Sequence, residues 1–503
     1  MKEHRDVIRA VLIATALLPI SIAPANNATC WPQFRGPNGS GIADTSADPP
    51  IKFGPEENVL WKTSVLPGHS SPCIWGDHIF LTGFDGEKQE LQVLCLDRTS
   101  GNVRWRQIVP AKQIEKVHPI SSPATATPAT DGERVYLYFG SYGLLCYDMG
   151  GKLQWTIPLP IPKIRFSSGT SPIVSGELVI LSRDEQNDPY LLAVDRHSGK
   201  TVWKQPQPLA AASALSAFGA TSYSTPIVWG HQLVIHRTDE IVAYAQEDGA
   251  RIWSVGAATN GVSTAVIGNN VLFVGTWSNF GEPDLRVKLP DFRTLVKQYD
   301  KNGDMKISRE EFPDDLAISQ RPETGDVFGN KVYLKTFFSM VDVNKDGSID
   351  ETEWKETDAF VSVLSQDHGL LAIKAGGKDD ITRTHVLWQE KGSVPEVPSP
   401  LYHDGRVYMI KDGGVASCTE AETGRLLYRE RLGAAGPYYS SPICAHERVY
   451  IASWKGVVSV FAAGDQLQIL ARNDLKEPIL ATPAAVERNL YVRTPEHIYA
   501  FRQ

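Results

Sequence analysis

Several common chemistries leave no trace in this chain of 503 residues. There are only six cysteines, none next to another, and no C-x-x-C-H stretch. Six scattered thiols do not make a disulfide framework, and covalent haem attachment has no site. G-x-S-x-G, H-E-x-x-H and phosphate-loop patterns are also missing, which removes the usual signatures of a serine hydrolase, a zinc peptidase or a nucleotide-binding loop. No basic stripe interleaves with aromatics, and the formal net charge is −8, so a nucleic acid partner is not expected. Long apolar runs are absent except at the start. There, MKEHRDVIRA precedes the run Val11–Ala23 and the small-residue site Ala23-Pro24-Ala25. A charged start, a short apolar core and an A-x-A-like site describe a secretory signal peptide over residues 1–25. The run is too short for a comfortable membrane span. The expectation is an exported protein, periplasmic or extracellular, with no stable membrane span after signal removal. Loss of three basic and two acidic groups with residues 1–25 takes the formal charge from −8 to −9.

What the chain does have is a repeat. Leu191–Trp203 reads LLAVDRHSGKTVW: an apolar strand, an Asp, a Gly turn, then a strand with a Trp four residues after the Gly. Val93–Trp105, Leu144–Trp155 and Ile241–Trp253 repeat it, and Leu371–Trp388, Val415–Tyr428 and Val458–Leu470 are weaker copies. Upstream of each copy stands a Ser/Thr-Pro pair: Ser71-Pro72, Thr127-Pro128 (or Ser122-Pro123), Ser171-Pro172, Thr225-Pro226, Ser399-Pro400, Ser441-Pro442 and Thr482-Pro483. Ser263-Thr264 fills the slot without a Pro. Four short antiparallel strands at a period of ~40–50 residues signify a propeller blade. Counting Trp61, the Trp slots number eight. The strand holding Trp61 has no upstream strands of its own, and Ala481–Arg502 lacks a Trp strand after it. Pairing Leu60–Val65 with the C-terminal strands closes the ring and leaves no open edge. Cys95, Cys146, Ala193, Ala243, Cys418 and Ala500 share one small-residue slot, where a large side chain would overpack. That explains three of the cysteines. Cys30, Cys73 and Cys444 are left without an assigned pairing.

Asp195, Gly199 and Trp203 resemble the A-x-D-x-x-T-G-x-x-x-W motif of the pyrroloquinoline-quinone (PQQ)-type propeller repeat. The resemblance runs over residues 57–503 apart from one insertion. It implies an all-β, eight-bladed propeller with each Trp packed between adjacent blades. It does not fix a chemistry, because the family includes both quinoprotein dehydrogenases and non-catalytic scaffolds. The expected division is 26–56 as an extended segment lying over the ring, 57–279 as the first part of the propeller, 280–365 as a small helical insertion in blade five, and 366–503 as the second part.

The insertion carries the sharpest chemical signal. Asp342–Glu353, DVNKDGSIDETE, places side-chain oxygens of Asp342, Asn344 and Asp346 at positions one, three and five. Gly347 sits at the sharp turn, the Ser348 carbonyl at seven, Asp350 at nine and Glu353 at twelve. This is the EF-hand spacing that offers a hard cation six to eight oxygens. Asp300–Glu311, DKNGDMKISREE, repeats it with Asp300, Asn302, Asp304, the Lys306 carbonyl, Ser308 and Glu311. Its sixth position is Met305, where the family has Gly. A positive φ there costs a non-Gly residue about 1 kcal/mol, so this loop is expected to bind calcium more weakly or to serve as structural partner. Ile307 and Ile349, both at position eight, are expected to pair in a short strand.

In a propeller, the loops joining each outer Trp strand to the next blade gather over one end of the channel. His118, Arg165 and Tyr223 are the candidate ligand-binding residues on those loops, with Lys112, Lys116, Lys163, Tyr438, Tyr439 and Lys476 nearby. Quinoprotein dehydrogenases, which the ring resembles, hold PQQ with funnel acids, a floor Trp and often a vicinal cysteine pair. The loops 158–170 and 204–224 contain no acid. The sequence thus favours a monomeric, non-catalytic, calcium-binding scaffold for a protein or glycan partner over a PQQ- and calcium-dependent oxidoreductase with an atypical site.

Overall fold

A computed structural model of the chain describes residues 29–208, 221–277, 287–320, 331–364, 368–434 and 436–503. The expected leader 1–25 lies outside the described residues, as does most of the acid-free loop 204–224. The described chain forms an eight-bladed β-propeller. Blade one is Cys73–Trp75, His78–Asp85, Glu90–Asp97 and Val103–Val109, and blades two, three, six and seven repeat the same up-and-down order. Blade eight is completed by the N-terminal strand Val59–Ser64, which pairs antiparallel with His497–Arg502. The ring is therefore clasped by chain ends, as the Trp61 slot requires.

Two sets of contacts hold blade to blade, and both come from the repeat. The first is the Trp set. The indole N–H groups of Trp61, Trp105, Trp155, Trp203 and Trp388 donate to the carbonyls of Arg98, Met149, Arg196, Gln246 and Ala421 at 2.9–3.1 Å. Each acceptor lies at the start of the next blade's Gly turn. The turn glycine must be glycine twice over: at Gly199 φ is +70°, and a Cβ would stand 2.7 Å from the Trp155 ring. Trp253 departs from the set and donates to Gln232 Oε1 of its own blade at 2.9 Å. The turn it would meet is replaced in blade five by the longer Lys374–Ile381 stretch, whose Asp379–Asp380 pairs parallel with Trp253–Ser254.

The second set was not foreseen. The backbone N–H of each Ser/Thr-Pro hydroxyl residue donates to the hydroxyl of the next: Ser71, Thr127, Ser171, Thr225, Thr264, Ser399, Ser441, Thr482, and back to Ser71. All eight bonds fall at 2.9–3.1 Å, so they form a closed ring. This settles Thr127 over Ser122 and identifies Thr264, followed by Ala265 where the others have Pro, as the blade-five member.

The small-residue slot also has a plain cause. Cys95, Cys146, Ala193, Ala243, Ala372, Cys418 and Ala500 sit directly across the ladder from Trp105, Trp155, Trp203, Trp253, Trp388, Tyr428 and Trp61, next to a bulge. In blade seven the bulge places Ala471, not Leu470, in the Trp position, opposite Val460. Small and large have exchanged strands there. All six cysteines are buried free thiols.

Residues 30–53 cross the ring. Cys30–Trp31 adds an edge strand to blade one, and Asn38 exchanges two hydrogen bonds with Val228 of blade four. Gly41 and Ala43 bond Cys444 of blade seven, and Asp48 bonds Glu487 of blade eight. These partners lie at the far ends of the first strands, away from the hydroxyl ring, so the segment closes that end of the channel.

Blade five is interrupted between its second strand, Val271–Thr276, and its third, Gly369–Lys374. Thr276 and Gly369 are directly paired, so the insertion leaves and returns at neighbouring points and the sheet is undisturbed. The inserted residues have a core of their own, in which Leu295, Ile307, Phe312, Phe338, Ile349 and Trp354 meet. Ile307 and Ile349 pair antiparallel, as expected of two facing EF-hand loops.

Candidate functional site

The hydroxyl ring opens into a cavity of about 900 Å³, whose lining includes all eight of its members. Above the ring the wall is largely aromatic: Phe166, Tyr223, Trp277, Phe337 and Tyr439. Phe34, from the crossing segment, lines it as well. Of the funnel candidates, Arg165 and Tyr223 line this cavity. His118 does not, but its ring packs at 4.8 Å against Phe166, which does. Tyr438 is buried, with its hydroxyl spent on the Ala434 carbonyl at 2.8 Å, so it is a wall rather than a hand.

The funnel is not free of a Trp or of acids: Trp277, Glu396 and Asp412 all line it. Trp277 and Asp412 escaped sequence reasoning because they lie between second and third strands, and those connections emerge at the same end as the outer-strand loops. Asp412 Oδ1 is engaged by the Tyr438 N–H at 2.7 Å. Among the described residues no three acidic, imidazole or thiol groups converge on one point. His69, also on the wall, is held neutral: burial, then the Arg493 charge, pushes it down to about 4.

A second unforeseen acid is Glu115, on the loop 110–121. Its carboxylate is buried with both oxygens unpaired, and its own N–H is bound to Ser141 Oγ at 3.0 Å. A Cβ at Gly140 would come within 2.6 Å of both oxygens, so only glycine fits beside them. Burial raises the Glu115 carboxyl to about 7, against the pull of Arg183.

Because the insertion occupies a strand-two-to-three connection, it stands over the funnel. Lys331, Val332, Tyr333, Thr336 and Phe337 line the cavity, and Phe337 is five residues ahead of Asp342. The two EF-hand loops share one hydrogen-bond pattern. Glu353 Oε1 and Oε2 accept from Asn344 and Asp350, and Asp342 Oδ2 accepts from Gly347, all at 3.1 Å. In the first loop Glu311 accepts from Lys301 and Ser308, and Asp300 Oδ2 from Met305, all at 3.0 Å. Met305 adopts φ 62°, so the loop keeps its shape at the expense of strain. The loops differ in one respect that bears on a cation. Asp342 Oδ1 is buried and has no partner, whereas both oxygens of Asp300 are held by amides. An orphaned buried carboxylate oxygen fits a hard cation. Lys306 of the first loop also reaches across to Asp346 Oδ2 of the second at 2.7 Å.

No helix among the described residues is long and apolar enough to cross a membrane. A family model described as outer membrane protein assembly factor BamB matches residues 52–238 and 380–495, and an EF-hand model matches 334–356. No curated protein matches the chain in sequence. Among solved structures, BamB from Moraxella catarrhalis is 13% identical, with a TM-score of 0.52 over 88% of this chain and 98% of its own. A europium-containing methanol dehydrogenase is 10% identical, with a TM-score of 0.56 over 95% and 99%. The quinohemoprotein alcohol dehydrogenase of Comamonas testosteroni is 11% identical, with a TM-score of 0.54 over 95% and 81%. At these identities the likeness speaks for the fold alone. The family match spans more than half of the chain, interrupted where the insertion lies, and the chain belongs to the propeller family described as outer membrane protein assembly factor BamB.

Proposed function

We propose that this is an exported, calcium-binding propeller that works as a binding and assembly scaffold, taking a protein or glycan partner at the funnel. The observation that carries this reading is the placement of the insertion. It supplies funnel wall through Lys331–Phe337 and continues at once into the Asp342–Glu353 loop. In that loop Asp342, Asn344, Asp346, Asp350 and Glu353, with the Ser348 carbonyl, would hold calcium, and the unpaired Asp342 Oδ1 supports the assignment. Asp300, Asn302, Asp304, Ser308 and Glu311, with the Lys306 carbonyl, form the weaker loop. The bound ion supplies positive charge that gathers these oxygens and fixes the segment entering the funnel.

Calcium titration followed by calorimetry tests this. Glu353→Gln removes the tighter binding event and leaves the propeller's β-structure intact by circular dichroism. Loss of the β-signal in that variant, or unchanged calcium affinity, would sink the assignment.

A second reading, a calcium-dependent quinoprotein oxidoreductase, draws on Trp277, Glu396 and Asp412 in the funnel and on the dehydrogenase-like fold. Incubation with PQQ and excess calcium, then desalting and absorbance, separates the two. Stoichiometric retained quinone selects the oxidoreductase, and its absence selects the scaffold.

A further inference from the structure

The funnel cavity is lined by two charges of each sign. Arg165 and Lys331 stand against Glu396 and Asp412, and His69 is neutral. Both cations are exposed, where water and salt screen them, whereas Asp412 is buried and accepts the Tyr438 N–H. The balance gives a ligand of net charge no advantage, whichever its sign.

What the cavity offers instead is hydroxyl groups and ring faces. Each ring hydroxyl accepts one amide N–H from the neighbouring blade's member. A hydroxyl has one O–H and two lone pairs, so each keeps an O–H to give and a lone pair to receive. The backbone beside them adds little. The ring members' own amides are spent on these bonds, and every member except Thr264 is followed by a Pro, which has no N–H. A peptide laid along this floor finds no row of amides to pair with, as strand addition requires. Half-buried Glu396 and Asp412 are acceptors facing the same space. Above them stand Phe166, Tyr223, Trp277, Phe337 and Tyr439. Aromatic faces take up C–H surface, and hydroxyls and carboxylates take up a rim of O–H groups. A sugar ring has both.

We propose that the funnel binds a neutral saccharide, its ring faces against the aromatic wall and its hydroxyls on the hydroxyl ring, Glu396 and Asp412. The crossing segment closes the far end of the channel, so the saccharide enters from the insertion's side and ends inside. A cavity of about 900 Å³ falls in the range of small-molecule sites and suits a short run of sugar rings, either a free oligosaccharide or the end of a glycan. The proposal rests on the scaffold reading, which puts the partner at the funnel, and names the chemistry of that partner.

The test is calorimetric titration of the full chain in calcium with neutral trisaccharides of glucose, of mannose and of N-acetylglucosamine, and with trigalacturonate and trilysine as charged counterparts. One saturable site per chain for at least one neutral trisaccharide, tighter than for either charged trimer, is the expected result. Tyr439→Ala weakens binding roughly fivefold, as loss of an aromatic contact does, and Tyr439→Phe, which keeps the ring, does not. Glu396→Gln also weakens it roughly fivefold, and serves as the measure should Tyr439→Ala fail to fold. The soluble polymer of the same sugar is then titrated at equal concentration of chain ends. Tighter polymer binding assigns the site to the end of a glycan, and equal or weaker binding assigns it to a free oligosaccharide. No saturable binding of a neutral trisaccharide, tighter binding of trigalacturonate or trilysine, or wild-type affinity in either folded variant would overturn the proposal. The scaffold reading falls instead on stoichiometric retention of PQQ, so the two failures are told apart.

Discussion

Between neighbouring blades of the ring two fastenings are used, the first at five of the eight junctions and the second at all eight. A Trp indole docks on the next blade's Gly turn at the outside, and an amide-to-hydroxyl bond joins the first strands at the inside. Between the two loops of the insertion there is one two-residue strand pair, one cross-loop ion pair and a small apolar core. The ring repeats its fastenings around a closed circle and needs nothing added. The insertion leaves a carboxylate oxygen buried and unpaired. Repeated neutral contacts make blade junctions that are insensitive to added ions, while an unpaired carboxylate oxygen makes a part that can respond to them.

The comparison can be broken most severely at a Trp. Trp155→Ala removes a ring that docks on Gly199 and should cost ~3–5 kcal/mol, read as a lower unfolding midpoint that calcium does not restore. A midpoint equal to wild type would refute the fastening.

The ring should also carry a pH dependence of its own through Glu115. Its folded pKa, about 7, lies above the unfolded value, so the stability it allows is fully present at acid pH. That stability is given up as the pH rises through about 7, amounting to on the order of 3 kcal/mol. Denaturant midpoints measured from pH 4.5 to 8 should fall with this slope in the wild type and flatten in Glu115→Gln. Parallel slopes would exclude Glu115 as the cause.

At the inner fastening, Ser171→Ala leaves the Thr127 amide buried without an acceptor and should cost roughly 1–3 kcal/mol by chemical denaturation. No measurable loss would mean that the hydroxyl ring is ornamental to stability.

The smallest effect belongs to the insertion. Lys306 occupies Asp346 with an internal cation that calcium must displace, so Lys306→Met should tighten calcium binding at the Asp342 loop by roughly two- to fivefold. Weakened binding would show that Lys306 orders the loop instead of competing for it.

The fold was largely legible in the chain, because each Trp, turn Gly and small residue reports on a neighbour at a fixed spacing. Leu470 misled because a one-residue bulge shifts which side chain faces the partner strand, and a single blade does not announce its bulge. The Ser/Thr-Pro starts were visible, but not their bonding, because each hydroxyl serves an amide one blade away. In the site, the EF-hand loops were readable for the same reason as the Trp motif: ligand and turn residues are close in sequence. Trp277, Asp412 and Glu115 were not, since no local pattern marks a residue whose role depends on which end of a strand its loop leaves from. Glu115 in particular sat among exposed lysines that drew attention to charge of the other sign.

The clasp of the ring has a temporal side. Trp61 belongs to the strand that pairs with Ala500, so this strand cannot find its partner until His497–Arg502, seven blades further along the chain, has been made. Chains dominated by such distant pairings fold slowly. Until then the strand Val59–Ser64 remains an open edge, a place for a chaperone to hold or for a second unfinished chain to pair. A chain halted just short of residue 497 would hold seven blades and a loose strand, with the indole of Trp61 left exposed as the mark of an unfinished ring.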